Sequence, residues 1–201
     1  MYIVLEIFIV VLVVDFVSGV LHWLEDSFGN PEWPITGALI TAPNILHHHR
    51  PTAFTRNSWP KSAQVLIFLG AVIIAVAWIC GVLNWQVLMF VAIGVNANEI
   101  HKWNHLPKSQ RSKLAVALQE LRLLQTPQHH GRHHAGSKDT YYCVITNMVN
   151  PVLEAVCFWR RLEWVVEYLF GISKRPDASV APTHARATFS GPPLSEVQFH
   201  G

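Results

Sequence analysis

"SAQVLIFLGAVIIAVAWICGVLNWQVLMFVAIGVNAN", residues 62–98, contains no Asp, Glu, Lys or Arg. A helix needs about 20 mostly apolar residues to cross roughly 30 Å of hydrocarbon. The run is therefore long enough for two crossings, read as spans near 63–81 and 85–103. Between them, Gly81-Val82-Leu83-Asn84-Trp85 supplies a breaker, a polar residue and an interfacial indole, the makings of a tight hairpin turn.

"YIVLEIFIVVLVVDFVSGVLHW", residues 2–23, makes a further span near 2–24, interrupted by Glu6 and Asp15. It has neither the basic n-region nor the small-residue cleavage site of a signal peptide, so it is expected to stay in the mature chain. The composition agrees: 51% hydrophobic and 14% charged is unusual for a soluble domain. Every Lys and Arg lies either between Arg50 and Lys61 or from Lys102 onward. With three crossings, all of them flank the spans on one side, which the positive-inside rule makes cytosolic. The three cysteines form no CxxC pair and indicate neither a disulfide framework nor a thiolate metal site.

The expected fold class is all-α: a multi-span membrane protein with about three transmembrane helices, plus cytosolic or interfacial helices carrying histidines. A cytosolic loop is expected near 25–62, within which "ITGALITAPNIL" is apolar but too short to cross. "SKLAVALQELRLLQ" and "NPVLEAVCFWRRLEWVVEYLFG" mix apolar and charged positions at helical spacing, as helices on a membrane surface or packed on a soluble cap do. One domain is expected over 1–176, followed by a disordered tail over 177–201, where Pro, Ala, Ser, Thr and Gly dominate.

Ten of the twelve histidines lie between His22 and His134, all at or beyond the cytosolic span ends on this topology. "DFVSGVLHWLED" places Asp15, Ser18, Gly19, His22 and Asp26 along one helical stripe. Asp15 reads equally as a partner to the metal ligands or as a buried structural carboxylate. "LHHHRPTAF" brings His47, His48 and His49; of these, His49 reads as a spacer. "NEIHKWNH" puts His101 and His105 at i, i+4, the spacing by which a helix offers two imidazoles to one metal. In "TPQHHGRHHAG", His129 and His133, or His130 and His134, are so paired if Gly131 does not break the helix.

One HH pair is ordinarily a solvated loop, and His101 with His105 could simply cap a helix C-terminus. Four groups on one membrane face argue against that. A catalytic zinc commonly takes three protein ligands and a structural zinc four, so four histidine-bearing segments exceed one zinc's needs. Two non-haem irons activating O₂ would use them.

Together, "DFVSGVLHWLEDSFGNPEWPITG", "HHHRPTAFTRNSW", "NEIHKWNH", Leu118-Gln119 and "HHGRHHAGSKDTYYCVITNMVNPVLEAVCFWRRLE" resemble the Kua/CarF family of lipid desaturases. That family includes plasmanylethanolamine desaturases and is related to the plastid enzyme that puts a trans double bond into phosphatidylglycerol. The resemblance implies metal ligands at His22, Asp26, His47, His48, His101, His105, His129, His130, His133 and His134. It implies two iron ions with O₂ as co-substrate, and electrons from a cytochrome b5 or ferredoxin-type donor. Ser137 and Asn147 depart from the animal-type pattern, which has Pro and Gly there.

The expected activity is conversion of a 1-O-alkyl phospholipid to its 1-O-alk-1'-enyl form, a vinyl ether. The partners are then the lipid bilayer, the phospholipid and the electron donor, with no nucleic acid. An acyl-lipid desaturase or hydroxylase working near the carboxyl end of an acyl chain is the enzymatic alternative. A metal transporter or sensor is the non-enzymatic one, but it should place ligands on broken helices near the midplane, whereas residues 62–98 hold no His. Lys102, Trp103 and Arg132 are candidates for headgroup contact, each more readily explained as structural.

Overall fold

The computed structural model describes residues 2–136 and 138–176, so Ser137 and the expected tail lie outside the described residues. The described chain is helical: α1 (Tyr2–Phe28), a π-helical turn (Gly37–Thr41) running into α2 (Ala42–His49), α3 (Trp59–Ile79), α4 (Trp85–Val95), α5 (Ala97–His105), α6 (Lys113–Glu120), α7 (Pro127–His130), α8 (Val149–Ala155) and α9 (Phe158–Phe170). An irregular segment, residues 138–148, joins α7 to α8.

Two helices, α1 and α3, are long and apolar enough to cross a membrane. Both leave much apolar surface outward: Phe8, Val13, Phe68 and Val76 are exposed, as lipid-facing side chains would be. The third expected span, 85–103, is not one helix. It is divided at Asn96, whose side chain donates to the Ala92 carbonyl (2.9 Å) and accepts from the Trp59 indole (2.9 Å). An Asn that bonds the backbone locally competes with the helix ladder, and here it separates the apolar α4 from α5, which carries Glu99, His101, Lys102 and His105. At 1.5 Å per residue, α4 alone spans roughly 17 Å, short of a bilayer.

α3 and α4 form the expected hairpin, its turn held by Asn84, whose side chain caps α4 by accepting from Val87 N (3.0 Å). α4 also packs against α1, and the register is set where Gln86 donates to Glu6 (2.8 Å). Ten residues further along each helix, roughly 15 Å, Phe16 and Asn96 reach the same level. His22 lies another six residues, roughly 9 Å, beyond that level.

The stripe on α1 is buried as its spacing required, and it grips residues 143–146. Asp15 is fully buried; its two oxygens accept from Ile145 N (2.9 Å), Thr146 N (3.1 Å) and Thr146 Oγ1 (2.5 Å). Ser18 Oγ accepts from Val144 N (3.3 Å). Gly19 admits Cys143: a Cβ there would stand 2.5 Å from its Sγ and 3.1 Å from its backbone nitrogen. Of its two sequence readings, Asp15 is thus the structural carboxylate. Below this clasp, Val14 packs with Ala97, Ile100, Val144 and Ile145. Above it, Trp23 packs with Tyr142, Cys143, Leu153 and Trp159.

Asp15→Leu would strand two buried amides, each unmade bond costing roughly 1–3 kcal/mol. Thermal unfolding in detergent should show a loss of roughly 2–5 kcal/mol, whereas exposed Val13→Leu should change nothing measurable.

Candidate metal centre

Eight of the nine expected imidazoles, with Asp26, come together as two adjacent groups. His47, His101, His105, His130 and His134 form one; His22, Asp26, His48 and His133 form the other. Within each group all the ligand-type atoms lie within 4.8 Å of one another. The groups touch: the His22 and His101 rings are 5.6 Å apart, His130 and His133 5.8 Å.

Helix geometry explains how paired histidines serve two places. Consecutive residues of a helix point about 100° apart, so His47 and His48, on the last turn of α2, face different groups. His101 and His105 share one face of α5, as the i, i+4 spacing required. α7 ends at His130 and gives way to turns, yet His130 and His134 still meet, with Nε2 atoms 3.0 Å apart. His133 turns to the second group.

The all-imidazole group is crowded in a way that hydrogen bonding cannot satisfy. His130 Nε2 lies 2.9 Å from His101 Nε2, 2.8 Å from His105 Nε2 and 3.0 Å from His134 Nε2, while His105 and His101 are 3.2 Å apart. A neutral imidazole nitrogen offers either one N–H or one lone pair, so His130 Nε2 cannot bond all three of its neighbours at once. Both nitrogens of His47 and the Nδ1 atoms of His130 and His134 have no hydrogen-bond partner among the described residues. A cation at the centre resolves this. Nitrogens about 2.0–2.1 Å from one ion stand roughly 2.8–3.0 Å apart at right angles and roughly 3.3–3.4 Å apart at tetrahedral angles. The observed spacings fall in that range.

The second group is better supported from outside. His22 Nδ1 donates to the Tyr142 carbonyl (3.0 Å) and His133 Nδ1 to the Thr140 carbonyl (2.8 Å), which leaves both Nε2 atoms as inward acceptors. Those nitrogens lie 3.5 Å from Asp26 Oδ2, and His48 Nε2 lies 3.4 Å from Asp26 Oδ1 and 3.3 Å from His133 Nε2. These spacings match the tetrahedral value. Asn44 donates to Asp26 and orients it.

Burial, reinforced by neighbouring imidazoles, drives the protonation of this cluster downward. His47, His130 and His133 are pushed well below the ordinary histidine range, His134 to about 3 and His48 to about 2. All present unprotonated nitrogen at neutral pH, the form that ligates metals.

His129 is in neither group. Its Nε2 meets Asn150 Nδ2 at 3.4 Å and its ring packs edge-on against Tyr141 at 5.0 Å. Asn150, which sequence reasoning missed, is fully buried; it donates to the Cys143 carbonyl (2.8 Å) and accepts from Cys143 N (3.0 Å). Also missed was a buried amide network: Asn104 donates to Gln125 (2.9 Å), Gln119 donates to Asn104 (3.0 Å) and to the Gln125 carbonyl (2.9 Å), and Gln125 donates to the Cys143 carbonyl (2.6 Å). Its signal was polar residues inside the quoted motifs, Asn104 between two histidines and Gln119 in its Leu-Gln pair.

Of the headgroup candidates, Lys102 is buried, donating to Glu99 (2.7 Å) and the Asn57 carbonyl (3.0 Å), and Trp103 packs on the core. Arg132 is exposed and donates to the Tyr141 hydroxyl (2.7 Å). His49 is exposed. Asn147 accepts from Thr126 N (3.1 Å), tying the irregular segment to the start of α7.

The lipid desaturase domain family matches residues 11–177. The chain belongs to this family. Among its relatives are mouse plasmanylethanolamine desaturase 1, 32% identical over 178 residues covering 83% of this chain and 65% of the relative, and the Myxococcus xanthus plasmanylethanolamine desaturase, 30% identical over 176 residues covering 83% and 61%. Fatty acid desaturase 4 of Arabidopsis thaliana chloroplasts is 30% identical over 165 residues, covering 80% of this chain and 50% of that protein. The chain thus spans from half to about two thirds of the length of these three relatives. No solved structure matches it. Both histidine groups of this lipid desaturase domain fall inside the matched region.

Replacing His101 or His130 by Ala should lower the metal content of the purified protein, whereas His129→Ala should keep it; elemental analysis separates the two outcomes. The pH dependence follows from the depressed imidazoles. The unfolded chain takes up protons as pH falls through about 6.5 while the folded chain does not, so stability is present above that pH and is lost below it. The unfolding temperature should be lower at pH 5.5 than at pH 8.

Proposed function

We propose that this chain is an O₂-dependent desaturase of membrane lipids that forms the vinyl ether of a 1-O-alkyl phospholipid. The observation that carries the reading is the pair of adjacent buried donor groups, five imidazoles beside three imidazoles and a carboxylate.

His47, His101, His105, His130 and His134 would hold one iron, and His22, Asp26, His48 and His133 a second. Bound iron would supply O₂ activation and the oxidising power to remove hydrogen from two adjacent carbons. In the balance, the lipid loses two hydrogens, and O₂ takes two electrons from a donor and two further protons, leaving two waters. A donor of the cytochrome b5 or ferredoxin type fits that demand. The chain's own residues hold, orient and shield. The Thr140 and Tyr142 carbonyls fix the tautomers of His133 and His22, Asn44 aims Asp26, and Phe54 packs edge-on against His47 at 4.6 Å.

Depth supports the substrate. The Trp59 indole, exposed to 43% and bonded to Asn96, stands level with Phe16, where an interfacial aromatic is expected. The donor groups, roughly 9 Å further along α1, lie beyond the hydrocarbon. A carbon reacting there must be near the headgroup, as are those adjoining an ether oxygen. The return from the Asn84 turn to the histidine end would be the third crossing, and the one-sided Lys and Arg support a cytosolic side for that end. A cysteine tag at Asn84 should then be labelled from outside and one at Ser109 from the cytosol.

The substrate test supplies an alkyl-ether phospholipid and an ester phospholipid with O₂ and reductant. Acid-labile aldehyde from the ether lipid is the expected product. A new acid-stable double bond near the carboxyl end of the ester lipid, without aldehyde, would instead make this an acyl-lipid desaturase.

A further inference from the structure

The outward face of α8 is apolar, and that of α9 mixes exposed aromatics with Arg160, Arg161 and Glu167. Met148, Val152 and Val156 recur every four residues along α8 and its two flanking caps and are exposed to 41%, 63% and 47%. On α9, Trp159, Leu162 and Val166 face the core, while Trp164 and Tyr168 stack on each other at 5.3 Å with their rings turned outward. Arg160 and Arg161 flank that pair and are exposed. A water-facing α8 would carry polar residues along its stripe. Aromatics beside arginines, above an aliphatic stripe, are instead the pattern of a helix lying at a lipid headgroup boundary.

The level of this corner agrees. The Phe158 ring meets Phe16 edge-on at 5.6 Å, and Phe16 is level with Asn96 and the half-exposed Trp59. The apolar stripe therefore continues the belt at which α1, α3 and α4 leave the hydrocarbon. We propose that the α8–α9 corner is seated in the bilayer leaflet at which the histidine end of α1 emerges, with Val152 and Val156 among acyl chains and Arg160 and Arg161 at lipid phosphates. The occupant of this face is the bilayer itself. The seat is wired to the metal centre, since α8 carries Asn150, which holds Cys143, and Glu154, which accepts from Thr140, whose carbonyl orients His133. The inference rests on the membrane embedding of α1 and α3 and is independent of the substrate.

The test uses the full chain in nanodiscs containing anionic phospholipid. Cys80 and Cys157 are replaced by Ser, and nitroxides are placed singly at Val152→Cys, Val156→Cys and Tyr168→Cys. Phe68→Cys, exposed halfway along α3, reports hydrocarbon. Ser109→Cys, beyond His105, reports water. Power saturation by O₂ and by a water-soluble nickel chelate gives the depth of each label. The expected result is that collisions with O₂ exceed those with nickel several-fold at the three corner sites, with the reverse at Ser109. Nickel dominating at Val152 and Val156 while Phe68 stays protected would overturn the seat alone; nickel access at Phe68 as well would overturn the embedding with it. Immobilised corner labels with spin–spin broadening would mean that a second copy covers the face, and the proposal would fail.

Discussion

The clasp between Asp15 and residues 145–146 is the contact on which the metal centre's geometry rests. A carboxylate at that depth is costly unless its oxygens are satisfied, and the three donors it receives come from a segment more than 125 residues away in sequence. That satisfaction fixes where the irregular segment crosses α1. Everything upstream of the clasp follows in register: Val144 on Ser18, Cys143 over Gly19, the Tyr142 carbonyl at His22. One turn further along the helix, Asp26 closes the second donor group. The stripe of α1 is thus one surface with two tasks, clasping the segment and then presenting ligands.

The second donor group carries its own supports, while the all-imidazole group borrows them. His101 and His105 ride on α5, fixed through Asn104 to Gln125 and thence to the Cys143 carbonyl. His130 follows the cap where Thr126 accepts from His129 N (3.3 Å). The two groups share α2, the turns after His130 and the same irregular segment, so displacing one displaces the other. They differ in charge. Asp26 gives one group an anionic ligand, whereas the other has only neutral imidazoles, and the two sites would therefore stabilise the same metal charge unequally.

Much of this was legible in the sequence because it depends on period and composition. The run 62–98 gave a hairpin through its lack of charge, the stripe from Asp15 to Asp26 was buried as its spacing required, and His101 and His105 met as an i, i+4 pair. What was not legible depended on side chains bonding to distant backbone. Asn96 divides the third expected span because its amide competes with the ladder, and nothing in a hydropathy window distinguishes that Asn from a tolerated one. His129 looks the same as His130 in the repeated pair, but it meets Asn150, whose role appears only once α8 is folded against Cys143. The assignment of each histidine to one of two groups likewise depended on how α2 and α7 end.

The irregularity of residues 138–148 is itself a requirement of the site. In a helix the carbonyls are consumed internally, and in a paired strand by the neighbouring strand; neither could offer free acceptors to imidazoles. Here Tyr141 takes a left-handed backbone (φ 59°), uncommon for a residue with a side chain. On either side of it, the Thr140 and Tyr142 carbonyls both reach histidines of the same group. Both carbonyls lie outside any helix ladder or strand pairing and are left free to accept from the imidazoles of one group. Strain of this kind persists only where surrounding contacts over-determine it, and the bonds from Asp15, Ser18, Asn150 and Gln125 supply that constraint. A fully regular fold would remove the strain, and with it the acceptors that keep the Nε2 atoms of His22 and His133 available to a metal.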